Sequence, residues 1–236
     1  MILGPGQGID PVVQGANGGD TVIETPQPET IETFFTREDG SFHFARWGRP
    51  IVPVVFGTDE SSLPPLKGAF EAVTAMIGHK MAETDPELGT NLMVFFLQDW
   101  EELAALPDLD QMIPGLGALV PRLIAGKATQ YRIFRFDDHG AIRASFVFIR
   151  MRGAQAQLPA EEIGLELMVK ALLDWGPSAF AARTPLVRGR DGVARVNPVF
   201  ADVIRAAYDP VLPPAARDGS HALRLFARMQ RDQAQG

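Results

Sequence analysis

The chain contains no cysteine. That removes disulfides, thiolate nucleophiles, iron–sulfur clusters and Cys-based zinc sites. Lysine is scarce: only Lys67, Lys80, Lys127 and Lys170 occur, so the positive charge is mostly arginine. With a formal net charge of −7, the chain lacks the basic excess that drives counterion release from nucleic acid, and no nucleic-acid partner is expected. No apolar run approaches the roughly 18–20 residues of a spanning helix. The opening "MILGPGQGIDPVVQGANGGD" has no charged region followed by an apolar one and does not read as a signal peptide. Two locations fit it: the cytoplasm, or the periplasm or cell envelope after removal of a signal. The glycine-rich, linker-like start favours the second.

Signatures of catalysis are missing too. There is no GxSxG, no GxxxxGK[ST] and no GxGxxG. "GPGQG" at 4–8 has no preceding strand, so it reads as linker rather than phosphate loop. A zinc hydrolase of the helical type needs two histidines at i and i+4 with a glutamate beside the first. The four histidines, His43, His79, His139 and His221, are scattered and read as surface or turn residues. No metal and no cofactor is expected.

What is present is the material of an ordinary core, with 46% hydrophobic and 22% charged residues. Residues 1–28 are rich in Gly and Pro and are expected to be disordered; 29–236 form a single domain. "PETIETFFTRED" begins it with a short helix. "SFHFARWGRPIVPVVFG" (41–57) reads as a β-hairpin or two strands, with Pro53 placing the second at an edge. "LPPLKGAFEAVTAMIGHKM" is an amphipathic helix opened by prolines. "NLMVFFLQ" is a buried strand. Two or three short helices follow, cut by Pro107, Pro114 and Pro121. "QYRIFRF" and "AIRASFVFIRMR" flank the turn "DDHG" as a hairpin, with Asp137 and Asp138 as turn formers. Helices follow at 160–176, at "NPVFADVIRAAYDP" with Asn197 as cap, and at "SHALRLFARMQRDQ". The expected class is α+β, a small mostly antiparallel sheet packed by several helices.

"AEEIGLELMVKALLDWG" (160–176) is the most informative stretch. Glu162, Glu166, Lys170 and Asp174 fall on one stripe four residues apart, and the rest is apolar nearly all round. Glu166→Lys170 is the favourable order for a helical ion pair, worth about 0.3–0.5 kcal/mol. The stripe reads as the solvated edge of a buried helix. Glu161 projects toward the apolar side, where the helix dipole favours a carboxylate in the first turn. The catalytic reading makes Glu161, Glu162 and Glu166 a hydrolase set with Glu162 as general base. The zinc template aligned here puts Leu165 where a ligand is needed. The hairpin is rich in arginine, and Arg132, Arg135, Arg143 and Arg150 are candidates for a ligand- or partner-binding face.

Five stretches in order, "RWGRPIVPVVFG", "NLMVFFL", "AIRASFVFIR", "EEIGLELMVKALLDWGPSAF" and "FADVIRAAYDPVLPP", resemble a bacterial family of exported envelope proteins and lipoproteins that carries a domain of unknown function. The resemblance spans roughly residues 40–230. Its distinctive parts are Arg46, Trp47 and Pro50; the Glu-Glu helix with Leu172, Asp174 and Ser178; and Tyr208, Asp209 and Pro210. It implies an envelope location and a zincin-like core, a small sheet with a glutamate-bearing helix, from which this chain has lost the metal ligands. The family's cysteine before that helix is missing, and its Gly-Leu-x-Asn-Asp ending is here "LLDWG". The expected function is a non-catalytic envelope protein binding a protein partner or small ligand. The alternative is a metal-dependent, peptidase-like hydrolase.

Overall fold

The computed structural model describes residues 25–105, 109–113 and 115–235. The disorder expected of the N-terminal segment falls almost wholly on 1–24, outside those residues. In chain order the elements are α1 (Pro28–Thr33), β1 (Phe44–Ala45), β2 (Pro53–Phe56), α2 (Leu63–Met76), β3 (Leu92–Leu97), α3 (Leu109–Met112), α4 (Leu116–Ala125), β4 (Gln130–Phe136) and β5 (Ile142–Arg150). They continue with α5 (Ala160–Ala171), β6 (Leu186–Arg188), β7 (Ala194–Val196), α6 (Pro198–Ala207), β8 (Ala215–Ala216) and α7 (His221–Gln235). The class is α+β, with small sheets and several helices. Among the described residues no helix is long and apolar enough to cross a membrane.

The largest sheet has the order β2-β3-β5-β4. Its β2–β3 and β3–β5 pairs are parallel and only β4–β5 is antiparallel, which corrects the expectation of a mostly antiparallel sheet. The reason is legible in hindsight: "PVVF", helix α2 and "LMVFFL" form a β–α–β unit, and both strands are continuous apolar runs. β3 is buried along nearly its whole length, the usual condition of parallel strands covered on both faces, while β2 at the sheet edge is half-exposed. One face carries Val94, Phe96, Val147, Ile149 and Phe134 into the main core with α2 and α5. The other carries Phe95, Leu97, Phe146, Phe148 and Tyr131 into a second core with Trp100, Leu103, α3 and α4. On this second face Phe56, Phe95, Phe148 and Tyr131 stand in register across all four strands. Phe56 stacks on Phe95 with centroids 4.9 Å apart, and Phe95 on Phe148 at 5.1 Å.

Residues 41–57 do not form a hairpin. β2 takes the sheet edge that Pro53 demands, but β1 pairs with β8, Phe44 opposite Ala216 and Ala45 opposite Ala215. Pro50 and Pro53 remove two ladder donors from the intervening backbone, which instead makes single bridges to Leu173, Ile142 and Met81. Pro121 sits inside α4 instead of ending it. The hairpin β4–β5, its turn and the Asn197 cap are as expected: Asp137 Oδ1 accepts from the backbone N–H of His139 and of Ala141, and Asn197 Oδ1 from that of Val199. The short strands β6, β7 and β8 were not anticipated.

Helices α2 and α5 touch closely at Gly164. A Cβ there would lie 2.8 Å from Ala69 Cβ and 3.4 Å from Leu66 Cα, so the pair approaches where one side chain is missing. Gly164→Leu is expected to destabilise the fold by about 1–3 kcal/mol through overpacking, read as a lowered midpoint in urea denaturation.

Candidate functional site

Helix α5 starts after Pro159, which leaves the first backbone N–H groups without a side-chain cap, and its carboxyl end is unusually well held. The last carbonyls of a helix have no partner within it. Here Trp47 Nε1 donates to Ala171 O at 2.8 Å, Trp175 Nε1 to Val169 O at 2.9 Å and the Tyr208 hydroxyl to Leu172 O at 3.0 Å. Arg37 donates to Trp175 O at 2.8 Å and Asp174 O at 3.2 Å. Ser178 Oγ donates to Thr33 O at 2.9 Å just beyond.

The stripe of charged residues on α5 is less solvated than its pattern suggests. Glu162 is held by Arg188 of β6, 2.7 Å from Nη2. Glu166 Oε1 lies 2.9 Å from Lys170 Nζ and accepts from Gln130 Nε2 at 3.0 Å. Lys170 and Asp174 are 6% and 1% exposed, which corrects the reading of a solvated edge: strand β4 and the segment 34–43 cover its far half. Lys170 Nζ also sits 5.4 Å over the Phe180 ring. Glu161, expected toward the apolar side, is exposed.

At the end of the stripe stands a buried charge cluster. Arg37 Nη2 donates to Asp174 Oδ2, and His43 Nδ1 lies 2.6 Å from the same oxygen. Arg37 Nη2 is also 2.8 Å from His43 Nδ1. At such a separation a proton lies between the imidazole and the carboxylate. The other ring nitrogen, Nε2 of His43, is buried and has no hydrogen-bond partner, and the ring meets Phe136 edge-on at 5.4 Å. Burial pushes the Asp174 carboxyl up to about 6, against the pull of Arg37 and Arg132. His43 and His221 were both read as surface histidines. They are 7% and 2% exposed, because strand β1 and the start of α7 are packed into the core. His221 lies on Phe44 with centroids 4.3 Å apart. Burial, then Arg224 and Arg46, push it down to about 4. The alternation of His43 with Phe42 and Phe44 points it outward, and nothing local in the sequence signals its burial.

The four hairpin arginines are spread over both faces of the sheet, with Arg132 and Arg135 on opposite sides as strand alternation implies. Arg132 lies on the α5 side and donates to Gln130 Oε1 at 3.4 Å, which links it through Gln130 to Glu166. Arg135 points to the opposite face, where it donates to Met112 O at 3.0 Å and lies 6.0 Å over the Phe146 ring. Arg143 reaches Glu87 at 3.0 Å near the start of β5, and Arg150 stands at its far end. Alternation along the strands separates them. Among the described residues no group of three or more histidines and carboxylates is placed to hold a metal ion.

A concavity lies at the other end of α5. Beyond the carboxyl ends of β2, β3 and β5 is a crevice of about 330 Å³, lined by Gly57, Thr58, Asp59 and Ser62 of the β2–α2 connection, Leu66, Phe96, Gln98, Met151, Ala156, Leu158, Ala160 and Ile163. Gly57 has φ +76°, and a Cβ on it would fall 2.1 Å from Phe96 O, so the chain turns there only with glycine. Glu161 and Glu162 are not among the lining residues. No protein-family model matches the chain, and no curated protein or solved structure compared with it is similar.

Two titrations follow. The folded Asp174 carboxyl, at about 6 against the usual 3.8, holds a proton that the unfolded chain has released. Its contribution to stability is complete below the unfolded value and is lost as pH rises through about 6. Between about pH 7 and pH 5, the parent protein should gain stability relative to Asp174→Asn in urea denaturation. His221, at about 4 against 6.5, has the opposite sign: its stability, present above 6.5, is lost as pH falls toward 4, and His221→Phe should remove that loss.

Proposed function

We propose that this chain is a non-catalytic binding protein of the cell envelope, taking a small ligand in the crevice at the carboxyl ends of β2, β3 and β5. The position of the crevice carries the reading. In open sheets with parallel strands, ligands settle outside the carboxyl ends of those strands, where the connecting loops diverge. The lining fits a small, neutral, amphipathic molecule. Leu66, Phe96, Met151 and Ile163 offer apolar surface, the Thr58 hydroxyl and the Gln98 carboxamide offer neutral hydrogen-bonding groups, and the Asp59 carboxylate is taken up by the Ser61 and Ser62 hydroxyls and the Ser62 N–H. The ion pairs of Glu162 with Arg188 and of Glu166 with Lys170 support a structural role for these carboxylates. The resemblance supports the envelope location and a zincin-like origin of the helix pair.

The test is a thermal-shift panel of neutral amphipathic compounds, including blocked amino acids and nucleosides, on the full chain. A compound that raises the midpoint should lose its effect in Ala160→Trp, which fills the crevice from the first turn of α5, and keep it in Glu162→Gln. Zinc-dependent peptide hydrolysis that disappears in Glu162→Gln would favour the hydrolase instead.

A further inference from the structure

Helix α7 begins with a side chain that its place in the fold leaves unsatisfied. His221 is 2% exposed, and its ring lies on Phe44 of β1 with centroids 4.3 Å apart. Both ring nitrogens, Nδ1 and Nε2, are buried and have no hydrogen-bond partner. A neutral imidazole can occupy such a place much as an apolar ring does. An imidazolium carries two N–H donors and a full charge, and here it would find no acceptor.

The charges that act on the ring have the wrong sign for it. Arg224 stands one turn further along α7 and Arg46 lies in the segment after β1, and both repel a protonated ring. The amino end of a 15-residue helix adds the positive end of its dipole. The nearby carboxylates are turned elsewhere. Asp218, whose backbone carbonyl accepts from the His221 N–H at 3.0 Å, uses its carboxylate for the Ser220 N–H at 2.8 Å. On α1, Glu32 lies against Gly219, where a Cβ would fall 2.5 Å from its Oε1, and Glu29 is exposed. On α6, Asp202 pairs with Arg205. His43 is engaged with Asp174, and Arg217 follows β8. None of these groups hydrogen-bonds to the His221 ring.

Further along, α7 is fastened by charge. Asp209, just after α6, lies 2.8 Å from Arg231 and 3.6 Å from Arg228. The Val211 N–H, then these arginines, hold its carboxyl below the usual carboxylate range against the effect of burial. Those ion pairs therefore persist as pH falls from 6.5 to 4, the range in which His221 gains from reaching water. Acid acts on one end of the helix and spares the other.

We propose that His221 is an acid-released latch: a proton on its imidazole expels the ring from Phe44 and frees the first turn of α7, while Asp209 keeps the rest of the helix docked through Arg228 and Arg231. Release bares Phe44, Ala222 and Leu225, an apolar face that is buried while the latch is closed. The carboxyl end of α5, where Asp174 responds to acid in the opposite sense, stays closed over the same range.

The experiment is hydrogen–deuterium exchange of the full chain at pH 7 and pH 4.5, read by mass spectrometry and corrected for the intrinsic pH dependence of exchange. Protection of the amides of residues 222–226 should fall at least about tenfold on acidification, with that of α5 and of residues 229–232 held. His221→Phe, which keeps an apolar ring on Phe44, should abolish the fall. Arg224→Ala should weaken it, because one repelling cation is gone; Arg224 is exposed, so this variant needs no repacking to fold. Unchanged protection in the parent overturns the latch, as does a fall spread evenly over α5 and all of α7. A fall that His221→Phe leaves intact, or one as large in Arg224→Ala as in the parent, also overturns it.

Discussion

The carboxyl end of α5 has to be satisfied without water. Its last carbonyls point into a core of buried aromatic residues, and the helix cannot end there unless donors arrive from elsewhere. Trp47 comes from the segment after β1, Tyr208 from the end of α6, Arg37 from the turn after α1, and Trp175 folds back from the chain just beyond. Three separated stretches are thereby tied to one point. The same demand explains why Arg37 lies beside a buried aspartate: having come to cap Asp174 O and Trp175 O, its guanidinium also meets the Asp174 carboxylate. A buried carboxylate left alone would be strongly destabilising, and paired it is close to neutral in its net contribution. Its role is to fix which segments meet.

Along α5 the chemistry changes character. The first turn is uncapped and borders a crevice whose polar lining comprises Thr58, Asp59, Ser62 and Gln98. The middle is ion-paired, Glu162 outward to the β6–β7 hairpin and Glu166 to Lys170 and Gln130. Just beyond its end, Asp174 is buried with Arg37 and His43. A hydrolytic helix requires a carboxylate free to take a proton from water and a metal or second base beside it. The carboxylates of Glu162 and Glu166 on α5 and of Asp174 just beyond it are bound by arginine, lysine or histidine, and Glu161 is exposed and does not line the crevice.

The sequence showed some of this and hid the rest for identifiable reasons. Helices α2, α5, α6 and α7, the β4–β5 hairpin and the edge position of β2 were readable, because periodicity, proline and turn chemistry act locally. The parallel pairing of β2, β3 and β5 was missed because strand partners are chosen over long separations. The stripe on α5 was recognised, and its Glu166–Lys170 pair with it. Its burial was not, since the cover comes from β4 and from residues 34–43. His43 was the largest miss: alternation between Phe42 and Phe44 suggested a surface position, while the partner that draws it inward, Asp174, is 131 positions away. Arg46, Trp47, Asp174, Ser178 and Tyr208, read as distinctive parts of a family resemblance, gather around one helix end, so the pattern also describes how that end is held.

The central claim is that the acidic residues of α5 hold the fold together and do not assemble a metal-dependent active site. The most direct test is elemental mass spectrometry of the chain purified without chelators and without a polyhistidine tag, before and after incubation with zinc. The account predicts no transition metal in stoichiometric amount in either sample. Zinc or another transition metal near one per chain would contradict it and return Glu162 to the role of a catalytic base.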